Sequence, residues 1–381
     1  MTPQRWRSDL RIVLNARDAA SPAFTIAAFE VLDGVPGARR LDAGDGISGH
    51  LTDAVTGAAL PNVEVTVTAV DGTPLALARA ITDPAGEYLA FAPPGSYTVT
   101  ANGVGYELAS AAATVVAGRP TPVDFALQRC ATAAGVGRTV PGPQSQAGPS
   151  DPVLRNDLLS LAVSAGTDDP QLSGATVGKP LDLASIGQLD QLDWINLPYA
   201  TATQPRGGNA WQQLTVRNTT AEITGPATVR TSGASTSVAG ISVVTTYTCR
   251  AGEPWVVAES VFTNDGLVPR TFWIGDALDH DGAGQRSGVA GHGTITSGTP
   301  ADYAPAAPWI GMTGSDRQTY GLIYEDIAFT AYAVGKLGDE PAPDHARAGR
   351  VVHPATPRRR RRQRRRGRPV RGPGVDLVHV Y

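Results

Sequence analysis

The chain has 381 residues, enough for two or three domains that each bury a core. Its 43 glycines, 30 prolines and 18% charged residues exclude a protein built from solvated amphipathic helices. The net charge of -3 hides an asymmetry: ten of the 32 basic residues lie between Arg358 and Arg371, so residues 1 to 357 carry 22 basic against 34 acidic side chains, a net of -12. An acidic body does not attract phosphate backbones, which argues against a nucleic-acid partner.

No window reaches the roughly 18 apolar residues of a membrane span. Two cysteines, Cys130 and Cys249, provide neither a disulfide framework nor a zinc cluster; one bridge and two separate buried thiols both stay open. Residues 1–45 open on MTPQRWRSDLRIVLNARD, which lacks the sustained apolar run of a secretory signal. LRIVLNARD and AFTIAAFEVL within them read as strands, an N-terminal extension belonging to a truncated preceding β region. Short alternating runs punctuated by Gly and Pro continue along the chain, so the fold class is all-β: a small Ig- or transthyretin-like sandwich, a larger antiparallel sandwich, and a disordered tail.

The small sandwich spans 46–128. In NVEVTVTAV, Val63, Val65, Val67 and Ala69 fall on one face and Glu64, Thr66 and Thr68 on the other, the period of a half-buried strand. ITDPAGEYLAF supplies a turn at Asp83 to Gly86, where proline presets its φ and glycine accepts a positive one. PPGSYTVTA repeats the device, and VDFALQ closes the unit. These residues resemble the carboxypeptidase regulatory-like domain, a transthyretin-like sandwich grouped with starch-binding-like and collagen-adhesin B-type repeats. The pattern is carried by Gly49, Asp53, Gly57, Pro61, Val63, Asp83, Gly86, Tyr88, Phe91, Gly95, Tyr97, Gly105 and Tyr106; it departs at Asn62, where a small Gly or Ala is common. The resemblance implies a spacer or accessory module of an extracellular or cell-surface protein. It also raises carbohydrate binding, for which Tyr106, beside Gly105 in a loop, is the module's best stacking candidate, since Tyr88, Phe91 and Tyr97 fall at core-directed positions.

Residues 129–152, rich in Pro, Gly, Ser and Gln without periodicity, read as a flexible linker. Beyond it LRNDLLSLAV is a short helix or a first strand, and from Trp211 long alternating strands return, notably ISVVTTYTC and WVVAESVFTN. They predict a sandwich over 153–335. VVTTYTCRAGEPWVVAESVFTNDG is loosely similar to strands of galactose-mutarotase-like supersandwich domains, which accompany polysaccharide-active enzymes. Trp194 and Tyr199, with Arg206 and Trp211 in LDWINLPYATATQPRGGNAW, are the residue types a glycan-binding face would use; a loop anchored by a buried Trp reads the same. GDALDHDGAGQ places Asp276, Asp279 and Asp281 at short spacing before glycines. That pattern suits a structural turn, a Ca²⁺ loop or a catalytic acid, although it fails the EF-hand spacing. His292 in GHG reads as solvated and Glu259 as an outward-facing strand residue.

The tail, 336–381, ends on an arginine run in a protein with only two lysines, Lys179 and Lys336. Arg, Pro and Gly runs are what a GC-rich gene yields out of frame, so a frameshift, a disordered cationic arm and a specific nucleic-acid or localisation signal are its readings in that order. Two function classes remain: a non-catalytic accessory sandwich that contacts a polysaccharide or cell-wall glycan, and a fragment of a carbohydrate-active or metal-dependent hydrolase.

Overall fold

The computed structural model describes residues 45–380 apart from 72–78, 143–144, 167–176, 203–214, 281–285, 296–300, 314–318, 325–329, 334–345 and 351–376. At 45, 193–194, 279–280, 330–333, 346–350 and 377–380 the backbone alone is described. The expected strands before Gly46 and the arginine run lie outside these residues. Among the described residues every regular element is a strand.

The first eight are β1 (Asp45–Asp53), β2 (Glu64–Ala69), β3 (Arg79–Ile81), β4 (Glu87–Ala90), β5 (Gly95–Asn102), β6 (Ala109–Val115), β7 (Arg119–Pro122) and β8 (Phe125–Leu127). One sheet runs β4–β1–β7, with β8 also pairing β1; the other runs β3–β2–β5–β6. The alternation read from NVEVTVTAV holds: Val63, Val65, Val67 and Ala69 are buried and pack with Ile47, Leu51, Tyr88, Tyr97, Val99, Phe125 and Leu127. Glu64 differs. It lies on the opposite face, as expected, yet is buried because the Arg79 guanidinium closes over its carboxylate. The turn at Asp83 forms, with its carboxylate accepting from the amides of Ala85 and Glu87, both at 2.9 Å, and Gly86 at φ 77°. Asn62 sits at φ 60°, a conformation Asn tolerates and Gly occupies freely, which accounts for the departure from the family pattern there.

The expected connector 129–152 contains a strand, β9 (Ala133–Gly135), and buried side chains. Arg138 is 6% exposed and donates from Nε to Asn102 Oδ1 at 3.0 Å and from Nη2 to the carbonyls of Gly103 and Tyr106. Asn102 Nδ2 donates to Thr139 O, and the Asn62 side chain reaches Gly187 O at 2.8 Å. The Pro- and Gly-rich composition therefore serves close backbone approach: a Cβ on Gly142 would fall 2.4 Å from the amide nitrogen of Asp190. Ala43–Tyr381 forms one compact unit.

The remaining strands are β10 (Val153–Arg155), β11 (Leu159–Val163), β12 (Pro180–Ser185), β13 (Leu192–Thr201), β14 (Val216–Gly225), β15 (Thr228–Ser235), β16 (Ile241–Cys249), β17 (Val256–Asn264) and β18 (Trp273–His280). They are followed by β19 (Arg286–Val289), β20 (Gly293–Thr294), β21 (Ala301–Tyr303), β22 (Trp309–Thr313), β23 (Thr319–Ile323), β24 (Thr330–Ala333), β25 (Ala346–Arg350) and β26 (Leu377–Val380). LRNDLLSLAV is thus a hairpin, β10 and β11, whose turn is held by Asn156 Oδ1 accepting from the amides of Leu158 and Leu159. The sheets run β12–β11–β10–β9, β13–β18–β25–β24–β21, β14–β15–β16–β17–β26 and β20–β19–β22–β23. The two short strands of the expected tail pair with the body, β25 with β18 and β24, β26 with β17. Glu259 faces solvent, as its position in the alternation requires.

Candidate functional site

Of the residues proposed from the sequence, the three whose side chains are described, Tyr106, Tyr199 and Asp276, are buried. Tyr106 is 4% exposed; its hydroxyl donates to Asp53 Oδ2 at 2.9 Å and the Arg129 guanidinium covers its ring at 4.6 Å. Burial and that carboxylate push its hydroxyl up to about 12. A ring capped by a cation and packed in a core offers no face to a sugar. Tyr199 is buried in β13. Trp194 lies on β13 opposite Asp279 of β18, backbone alone described, while Arg206, Trp211 and Asp281 fall outside the described residues.

Asp276 belongs to the interior and not to a surface cation loop. Ile274, Asp276 and Leu278 alternate onto one face of β18, and Asp276 is 1% exposed. Across the sandwich, Thr231, Thr245 and Ser260 are register partners on β15, β16 and β17 and all are buried. They form one polar row, with the hydroxyls of Thr245 and Ser260 2.9 Å apart. Into this row comes the segment preceding β12. Tyr247 Oη donates to Gly178 O at 3.0 Å, Asn218 Nδ2 to Val177 O at 2.9 Å, and Lys179 Nζ to Leu197 O and Pro198 O, both at 3.1 Å. The register of β13 against β18 shifts between Asn196 and Tyr199, so those two carbonyls fall where the ladder is interrupted, and the lysine supplies the donors. Complete burial pulls the Lys179 ammonium down to about 7, against the Asp276 carboxylate, which favours the charged form. The cluster solves a backbone problem within the core. Among the described residues no group of three or more His, Cys, Asp or Glu side chains could hold a metal ion. Both cysteines are buried free thiols.

An arrangement the sequence reading missed lies on the outer face of the β20–β19–β22–β23 sheet. Register aligns Thr294, Gly288, Gly311 and Gly321 in a row straight across its four strands. On one side of this row Trp309 pairs with Ile323, and on the other Arg286 pairs with Thr313 and Thr313 with Thr319. The opposite faces of these strands, Ser287, Val289, Ile310, Met312, Tyr320 and Leu322, are buried; on the row itself Thr294 and Gly321 are exposed, Gly288 is half-buried and Gly311 is buried. Trp309 is 42% and Ile323 61% exposed. The indole leans over the floor: its Cζ3 lies 3.7 Å from the place a Cβ on Gly288 would occupy. The hydroxyls of Thr313 and Thr319 stand 2.9 Å apart on the far side. Beyond β19, His292 is fixed by Nε2 against Ala304 O at 2.9 Å and by an edge contact with Tyr303 at 5.3 Å. With strands about 4.8 Å apart and about 6.8 Å between alternate residues, the strip measures roughly 10 by 14 Å. An exposed indole, a floor without side chains and a wall of hydroxyls and guanidinium can stack a flat apolar ring face while hydrogen-bonding its polar edge.

The signal was present in RSGV, WIGMT and TYGLI, each with Gly at an outward position of an alternating run. That the three glycines share a row depends on strand register, which no single run encodes.

Residues 46–128 match the carboxypeptidase regulatory-like domain model. The module is the first sandwich described above, and its confirmation covers that part of the chain alone. No curated protein matches the sequence. A solved structure from Bacteroides uniformis ATCC 8492, named a "putative carbohydrate binding protein", is similar at 13% identity over 63% of this chain and 92% of that one, with a TM-score of 0.20. At that score the likeness carries no argument for the strands beyond residue 153. Among the described residues no helix is long and apolar enough to cross a membrane.

Proposed function

We propose that the chain is a non-catalytic accessory β-sandwich protein of the cell surface or exterior that holds a polysaccharide or cell-wall glycan on the outer face of the β19–β23 region. The observation that carries this reading is the half-exposed Trp309 leaning over a floor of Gly288, Gly311 and Gly321, faced by the paired hydroxyls of Thr313 and Thr319. Sugar sites combine an aromatic plane for the C–H face of a pyranose with polar groups that set its orientation, and this strip has both. No internal packing requirement explains an exposed tryptophan here, because the core beneath is already closed by Ile310, Met312, Tyr320 and Leu322. The regulatory-like module, tied to the second domain through Arg138 and Asn62, acts as a rigid support.

Native affinity electrophoresis in gels containing soluble glucans, xylan, galactan and pectin tests the reading. Retardation in at least one gel is expected, reduced about tenfold in Trp309→Ala with an unchanged thermal midpoint. Release of reducing ends from the retained polymer should stay at the background of a protein-free control. Equal mobility of wild type and Trp309→Ala in every gel would refute the site.

A further inference from the structure

We infer that the glycan held on this face carries carboxylates, and that Arg286 recognises a uronate residue while Trp309 stacks on a neighbouring ring; this rests on the glycan-binding reading above. Among the described residues the strip is lined by the glycine row with Thr294, by Trp309 and Ile323 on one side and by Arg286, Thr313 and Thr319 on the other. None is acidic and one is cationic, in a body whose first 357 residues carry a net of -12. An acidic protein whose described residues on this strip include a guanidinium and no carboxylate has there the charge pattern of an anion site.

The geometry fits a carboxylate more closely than a hydroxyl. Arg286 is exposed at the start of β19, directly opposite Thr313, whose hydroxyl is engaged with that of Thr319. The guanidinium makes no ion pair with any described carboxylate, so its planar fork is available for two parallel N–H···O bonds. Trp309 and Arg286 lie on opposite sides of the glycine row, about 14 Å apart along the strands, too far for one sugar ring and suited to residues of one chain crossing the strip. Repulsion from the rest of the body is confined by screening, since charges beyond about 8 Å contribute little at physiological ionic strength.

The test is calorimetric titration of the full chain with oligogalacturonate and with neutral galactan oligosaccharides of matched length, using wild type, Arg286→Gln and Trp309→Ala at about 0.15 M salt. We expect wild type to bind the uronate series about tenfold more tightly than the neutral one. Arg286→Gln should abolish that preference while leaving neutral affinity within about twofold, and Trp309→Ala should weaken both. Equal affinity for the two series, or a preference that survives Arg286→Gln, overturns the uronate assignment and leaves the glycan face standing provided Trp309→Ala still weakens binding. Binding of neither series by wild type, or no effect of Trp309→Ala on either, overturns both.

Discussion

The region beyond residue 153 inverts the usual polarity twice. Its central sandwich holds Lys179, Asp276, Thr231, Thr245 and Ser260 in the interior, while its outer sheet shows Trp309, Ile323 and Gly321 to solvent. The difference lies in what each anomaly answers to. The buried polar row divides the apolar core into the cluster around Leu154, Val229, Tyr247 and Leu278 and the one around Val216, Ile241, Val243, Phe262 and Ile274. Its members satisfy one another and the interrupted β13 ladder. On the outer sheet Gly311 is held as glycine by the Tyr320 carbonyl, 2.9 Å from where its Cβ would lie, whereas Trp309 and Ile323 stand exposed above a closed core. A buried charge with internal partners is thus architecture, and the exposed indole is the feature on which the proposed contact surface rests.

The largest effect should come from removing the lysine. Lys179→Ala orphans the carbonyls of Leu197 and Pro198, leaves Asp276 buried without its cation and opens a cavity. We expect a loss of about 3–5 kcal/mol in urea denaturation at pH 7. Wild-type stability in Lys179→Ala would show that the row is not a structural necessity.

The same residue gives the second prediction, in pH. The unfolded chain keeps the lysine proton up to about pH 10, whereas the folded chain releases it near 7, so between those values the unfolded state holds more protons and stability rises with pH. The rise is separable only up to about pH 9. Above that the Cys249 thiol, held up to about 12 chiefly by burial, keeps its proton in the folded state and loses it in the unfolded one, which offsets the lysine contribution and flattens the slope. At the acid end Asp182, raised to about 6 by burial, makes stability fall as pH climbs from about 4 to 6. Denaturation midpoints from pH 6 to 9 should therefore rise in wild type and lie flat in Lys179→Ala; a flat wild-type profile would contradict the buried-lysine account.

How legible each region was follows from the same contrast. Val63, Val65 and Val67, and the Asp83 turn, were readable because alternation and turn chemistry are local. In ISVVTTYTC the alternation correctly marked Ile241, Val243, Thr245, Tyr247 and Cys249 as one face. It could not say that Thr245 would meet Thr231 and Ser260, because cross-strand neighbours are fixed by register. Tyr106 misled for a related reason: a tyrosine beside a glycine in a loop looks exposed until Arg129 and Asp53, far along the chain, close over it. Residues 129–152 misled through composition, since Pro and Gly serve tight backbone docking as readily as flexibility.

The smallest effect on stability should come from Gly288→Val, and it discriminates most finely between the two regions. A Cβ at 288 meets only Trp309 Cζ3 at 3.7 Å and Gly311 O at 3.8 Å, ordinary contact distances, so the backbone has no steric objection. A β-branched residue also suits a strand better than glycine does. Stability should therefore change by no more than about 0.5 kcal/mol. The branched side chain nevertheless stands where the indole leans, lifting it and filling the floor. If the strip is a contact surface, Gly288→Val should lose polysaccharide retention as fully as Trp309→Ala while its thermal midpoint stays at the wild-type value. Retention that persists with a filled floor would mean that the glycine row, like the polar row inside, answers only to the fold.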